Sequence, residues 1–145
     1  SGDVRADAGL ARAAELGLEA VEVTALGYDE SSGVAAGHQV LDLDPHPTAV
    51  VAANDSLALG VIHVLREAGL RVPQEVSVTG FDDAGSGPFP AVAALGLTTL
   101  RQDAEEIVTR ALLQVRSVAD GSATHRETVL APTLVVRSST TAPPR

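Results

Sequence analysis

Apolar and polar positions follow one another along the chain in blocks of two different periods. Residues 5–16 repeat at helical spacing and stop at Gly17, whereas the next run, EAVEVTA (19–25), carries β-branched residues with period two, which predicts a strand. After the polar turn LGYDESSG, residues 33–43 set Ala36, Val40 and Leu43 at steps of four and three, and Pro45 and Pro47 close this second helix. TAVVAA (48–53) is continuously apolar, as expected of a parallel strand covered on both faces. A third helix opens at Asp55: Leu57, Val61, Val64 and Ala68 form one stripe, Ala58, Ile62 and Leu65 a second, and Gly69 supplies the stop. EVSVTG (75–80) predicts another strand, AGSGPFPAVAALGL (84–97) a loop with one helical turn, and LTTL (97–100) a short strand. Residues 103–119 read as a helix with Ala104, Val108, Ala111, Val115 and Val118 on one face and Gly121 at its end; ETVLAP and TLVVR read as closing strands, and SSTTAPPR as a tail with nothing to bury.

This β-α-β-α-β order, with connections long enough for crossover helices, predicts an α/β fold: a three-layer, doubly wound parallel sheet. In such sheets ligands bind outside the carboxyl ends of the strands, where loops and helix N-termini converge. The residues that follow the predicted strands are Tyr28, then Asn54 and Asp55, then Phe81, Asp82 and Asp83, then Arg101 and Gln102. Two of the chain's three aromatic residues are in that set. A carboxylate accepts from two hydroxyls at once, an amide both donates and accepts, and an aromatic ring covers an apolar C–H face, so the set suits a small polyhydroxylated ligand such as a sugar. Asp55 is expected to cap the helix that follows it, and Asn54 reads equally as a cap or a ligand contact. Asp82 and Asp83 read either as an Asx-turn ending a strand or as a ligand contact, with Asp82 the preferred contact.

Composition narrows the function classes. The 145 residues, 45% of them apolar, are enough for one domain with a buried core, built from small aliphatic side chains because there are one Tyr, two Phe and no Trp, Met or Cys. A net charge of −9 repels polyphosphate, so this stretch is not expected to grip nucleic acid itself. No window approaches the roughly twenty apolar residues that span a bilayer, and a cytoplasmic location is expected. The chain enters a helical pattern almost at once from Ser1 and reads as a piece of a longer protein. Four histidines, at 38, 46, 63 and 125, have no metal-ligand spacing, GFDDAG lacks the Lys of a phosphate-cradling loop, and GSG lacks the flanking glycines of a nucleophile elbow. Neighbouring carboxylates on an extended chain point apart, which weakens Asp82 and Asp83 as an acid/base pair. No metal, cofactor or catalytic residue is expected, and the chain reads as a binding module and not as an enzyme.

Three segments, PTAVVAANDSLALGVIHVLREAGLRVPQEVSVTGFDD (47–83), LTTLRQDAEEIVTRALLQV (97–115) and LAPTLVVRSSTTAPP (130–144), resemble the effector-binding domain of the lactose-repressor (LacI) family of bacterial transcription regulators. The AND, GFDD, TTxRQ and LVVRxST segments, in that order and spacing, are collectively specific, and the match covers nearly the whole chain. The resemblance implies a type I periplasmic-binding-protein-like fold with a small effector, often a sugar, between two lobes. It assigns residues 1–101 and 132–145 to the C-terminal lobe and 102–131 to a segment that crosses to the first lobe and returns. The rest of that lobe and the helix-turn-helix head are absent. By the same resemblance Asn54, Asp82 and Gln102 are polar effector contacts, Phe81 is a cleft wall and Tyr28 stacks on the effector. Arg5 matches a ligand-contacting arginine, although the family's R-x-x-G has its glycine one position late here, at Gly9. The expected partners are an effector, operator DNA through the absent head alone, and a second copy of the chain in a homodimer; a periplasmic sugar-binding receptor of a transporter shares the fold and is the alternative. The connection after Asp83 is longer than the family's, which nominates Phe89 for the cleft rim.

Overall fold

The computed structural model describes residues 4–83, 91–122 and 127–143. Its elements in chain order are α1 Val4–Glu15, α2 Glu30–Leu41, β1 Ala49–Val51, α3 Asp55–Glu67, β2 Ser77–Thr79, α4 Ala91–Ala94, β3 Thr99–Arg101, α5 Ala104–Ala119 and β4 Thr133–Val135. The two-striped helix, α3, is the most enclosed of them: Leu57 through Ile62, Val64 and Leu65 are all buried. One stripe packs on the sheet and α4 and the other on α2, so Ala58, Ile62 and Leu65 share a core with Ala36, Val40, Val76, Val78, Val92 and Leu97. Each large aliphatic side chain so buried contributes about 1.5–3 kcal/mol. The close approach of α2 and α3 depends on Gly60, where a Cβ would run into the Glu30 carbonyl and the Val34 amide.

The α/β character and parallel pairing expected from the sequence are present. β1 and β2 run parallel, with Val50 opposite Val78, and β2 continues to β3 through parallel bridges at Thr79–Thr98 and Asp82–Arg101. β3 and β4 are antiparallel, because the chain that leaves through β3 returns through β4 in the opposite sense. Beyond β4 the chain turns in beside β2: Ser139 accepts from the Val78 amide at 2.9 Å and donates its own amide to Gly96 at 2.9 Å.

Two expected strands did not form. Residues 19–25 and ETVLAP (127–132) have no regular structure. A strand exists only where its backbone groups meet a partner's, and period-two patterning brings Val23 and Ala25 against the core without carrying the backbone into register with β1. The second expected helix starts three residues early, at Glu30, because Asp29 caps it: its carboxylate accepts from the Ser32 amide at 2.7 Å. Gly17, Gly69 and Gly121 end their helices with φ of 68°, 85° and 73°, as their positions suggested. Residues 84–90, Phe89 among them, lie outside the described residues.

Burial is lopsided. Neither α1 nor α5 has a buried residue, and the apolar face anticipated for α5 is open, with Ala104, Val108, Ala111, Val115 and Val118 all exposed and Leu112 exposed beside them. No helix among the described residues is long and apolar enough to cross a membrane.

Candidate functional site

The carboxyl ends of β1, β2 and β3 converge on one rim, and backbone bonds between the segments that follow them fix its register. The Asp55 amide donates to the Phe81 carbonyl at 2.9 Å, and the Asp82 amide donates to the Leu100 carbonyl at 2.8 Å. All six residues singled out from the sequence lie along this rim or reach it.

Asn54 is the N-cap of α3, in an extended conformation at φ −152° and ψ 173°. Its Oδ1 accepts from the Leu57 amide at 2.8 Å, while its Nδ2 donates to the Tyr28 carbonyl at 2.9 Å. One side chain therefore starts a helix and ties down the loop that carries Tyr28. After Tyr28 comes Asp29, the cap of α2, so Tyr28 is held from both sides while the residue stays 67% exposed. The cap expected at Asp55 is thus supplied by Asn54, because the extended turn occurs one residue earlier. Asp55 becomes the first helical residue and turns inward, 3% exposed, where Oδ1 accepts from Thr99 Oγ1 at 2.6 Å. Gly80 leaves room for it, since a Cβ there would collide with that carboxylate.

Phe81, half-buried, carries the Arg5 guanidinium over its face, 4.7 Å from the ring centre, as in a cation–π contact. The same guanidinium donates to the Ala53 carbonyl, so α1 is pinned to the ends of β1 and β2 by one side chain. Asp82 faces across to Gln102, whose Nε2 donates to Oδ1 at 2.8 Å. A carboxylate has acceptor capacity well beyond one such bond.

Asp82 and Asp83 have φ of 109° and 49°, two successive non-glycine residues outside the usual region. Each costs on the order of 1–3 kcal/mol, and such outliers persist only where the surroundings over-determine them. The surroundings here are charged. Asp83, 4% exposed, binds Arg101 through Oδ2 at 2.6 Å and Arg137 through Oδ1 at 2.7 Å. Burial pushes its carboxyl up, but hydrogen bonds and charge from Arg137 and Arg101 outweigh that and hold it below the ordinary range. The two carboxylates point apart, one to Gln102 and one to the arginines; the amides at 84 and 85 that the alternative Asx-turn would use lie outside the described residues. The sequence singled out neither Arg137 nor Asp83's use of Arg101. These partners are separated by 54 and 18 positions; both arginines stand in the TTxRQ and LVVRxST segments, but nothing local marks their pairing with Asp83.

Chemically the rim offers an amide, a carboxylate, a guanidinium and an exposed aromatic ring within one stretch of surface. Among the described residues no group of three His, Asp or Glu could hold a metal ion. An open hollow of about 340 Å³ beside α3, lined in part by Leu59, Ile62, His63 and Arg66, shares no residue with the rim.

The profile of the periplasmic binding protein-like domain matches residues 1–140. HTH-type transcriptional regulator MalR of Streptomyces coelicolor is 40% identical over 120 residues, covering 81% of this chain and 33% of that protein. The chain thus spans about a third of the length of the curated relatives it matches. Among solved structures, the lac repressor dimer bound to operator and the anti-inducer ONPF superposes with a TM-score of 0.85 at 27% identity, over 95% of this chain and 47% of that one. A LacI family transcriptional regulator from an Arthrobacter species, in complex with lactose, superposes with a TM-score of 0.83 at 28% identity, over 96% and 51%.

Proposed function

Because the chain belongs to the LacI family of transcriptional regulators and carries that family's periplasmic binding protein-like domain, we propose that it is the effector-binding part of a sugar-responsive regulator. The observation that carries this reading is the convergence of Tyr28, Asn54, Phe81, Asp82, Gln102 and Arg5 on one rim at the carboxyl ends of parallel strands. Asp82 and Gln102 bind ring hydroxyls, Asn54 holds the Tyr28 loop and contacts the ligand, Phe81 forms the cleft wall, and Tyr28 stacks on the sugar face. Arg5 supplies a further donor. Once the ligand and the first lobe enclose them, such polar contacts discriminate strongly, since a mismatched ligand leaves them unpaired.

Residues 1–101 and 132–145 belong to the C-terminal lobe, and 102–131 cross to the first lobe. The exposed apolar face of α5 supports this division, since it is patterned for burial yet uncovered. In the full-length protein the effector favours one mutual orientation of the lobes, and that orientation sets the spacing of DNA-binding heads in a cytoplasmic homodimer. A transporter receptor shares the fold, but the relatives matched are HTH-type regulators. They are likewise not enzymes, and the rim's carboxylates face binding partners, not each other, so no catalysis is assigned.

The test is a calorimetric titration of the full-length protein with neutral mono- and disaccharides, lactose included, with purine bases as a contrasting class. A sugar that binds and changes affinity for operator DNA is expected. Binding of purines alone, or of neither class, contradicts the reading.

A further inference from the structure

Asp82 and Asp83 are neighbours with different partners on the same facing segment. Asp82 takes Gln102, and Asp83 takes Arg101, so two consecutive residues after β2 are rung to two consecutive residues at the end of β3. Arg137, just after β4, adds a third strand to the second rung and at the same time donates to the Leu97 carbonyl at 2.7 Å. The carboxylate of Asp83 is 1% exposed, so its two arginines are its stabilising surroundings, not solvent. The backbone at both aspartates is in a conformation that L-residues avoid.

We propose that Asp83 is a positioning residue for the rim: by clasping Arg101 and Arg137 it holds the Asp82–Asp83 backbone at positive φ and so aims the Asp82 carboxylate at Gln102. Without the clasp the pair relaxes to negative φ, and because side-chain direction follows backbone conformation the Asp82 carboxylate swings off Gln102. The clasp also fastens the point where the chain leaves through β3 to the point where it returns through β4. The rim's geometry is therefore set by the same carboxylate that joins the two connections leading to and from residues 102–131. That Asp82 and Gln102 touch a ligand rests on the reading above, but their mutual geometry does not.

The experiment is crystallographic, on the full-length protein and three variants, with thermal unfolding to establish that each is folded. In Asp83→Gly the carboxylate is gone but glycine tolerates either sign of φ; Asp82 φ is expected to move from positive to negative and the Gln102 contact to break. Arg101→Gln removes one arm and is expected to lengthen the Gln102 contact, and Arg101→Lys, which keeps the charge, to restore it. A variant that is folded, lacks the clasp and keeps Asp82 at positive φ with Gln102 in hydrogen-bond contact overturns the proposal. So does Arg101→Lys behaving no better than Arg101→Gln. None of these readouts needs a bound sugar, so failure of the sugar assignment leaves this result standing, and the reverse.

Discussion

Asn54 holds Tyr28 through the backbone: its Nδ2 reaches the Tyr28 carbonyl at 2.9 Å while its Oδ1 caps α3 at 2.8 Å. A single amide thereby couples the stability of the most buried helix to the place where the exposed ring is held. The two duties can be separated. Asn54→Ala loses both and is expected to cost about 1–2 kcal/mol in urea unfolding, the usual worth of an N-cap. Asn54→Ser keeps a capping oxygen but lacks the second arm, so stability should stay within about 0.5 kcal/mol of wild type while sugar affinity falls. Equal losses of stability in the two variants would contradict this division.

The Asp83 clasp has unequal arms. Arg137 is 20% exposed and Arg101 52%. Removing Arg137 leaves a buried carboxylate short of its better shielded partner, and Arg137→Ala is expected to cost about 3–5 kcal/mol. Arg101→Ala, its arm screened by solvent, should cost about 1 kcal/mol. Chemical denaturation of both checks the order.

The same carboxylate makes stability depend on pH in a stated direction. Its folded-state pKa lies below the ordinary value of 3.8, so the ionised group contributes stability that is present above that value and is lost as pH falls through the lower, folded one. The stability gap between wild type and Asp83→Asn should be constant above about pH 5 and narrow at more acid pH, as the protonated side chain comes to resemble the amide. A gap that does not change in acid would contradict the depressed pKa.

Sequence patterning made the central elements legible and missed the edges for a physical reason. The stripes of α3 and the terminating glycines depend on local rules of burial and backbone freedom, and were visible; the continuous run located β1, but the cover expected on both its faces is missing, with Val51 80% exposed. The run 19–25 had the right alternation, but pairing is a non-local event that alternation cannot specify. The rim could be located because fold topology places it after each strand, and Asn54, Phe81, Asp82 and Gln102 were found that way; Tyr28 was nominated after a strand at 19–25 that did not form and reaches the rim through Asn54 instead, and Arg5 came from resemblance. Asn54 and Asp55 exchanged roles because one residue of extended backbone decides which side chain caps and which turns inward. Arg137 stood out only as the Arg of LVVRxST, and its role was not legible, since its partner lies 54 positions away.

The α5 face gives a prediction about association. Val108, Leu112 and Val115 are 57%, 64% and 66% exposed on a helix whose other side is charged. The 145-residue chain on its own is expected to self-associate through this face, and Leu112→Lys to shift it toward monomer in sedimentation velocity. A wild-type monomer at high concentration would contradict it.

The most direct measurement is calorimetric titration of full-length wild type and Asp82→Ala with whichever neutral sugar binds the wild type. Losing a charged acceptor that holds hydroxyls should weaken affinity by about 10- to 100-fold, the worth of roughly 1.5–3 kcal/mol, with the unfolding transition retained. Equal affinity in the two proteins would contradict the account at its centre.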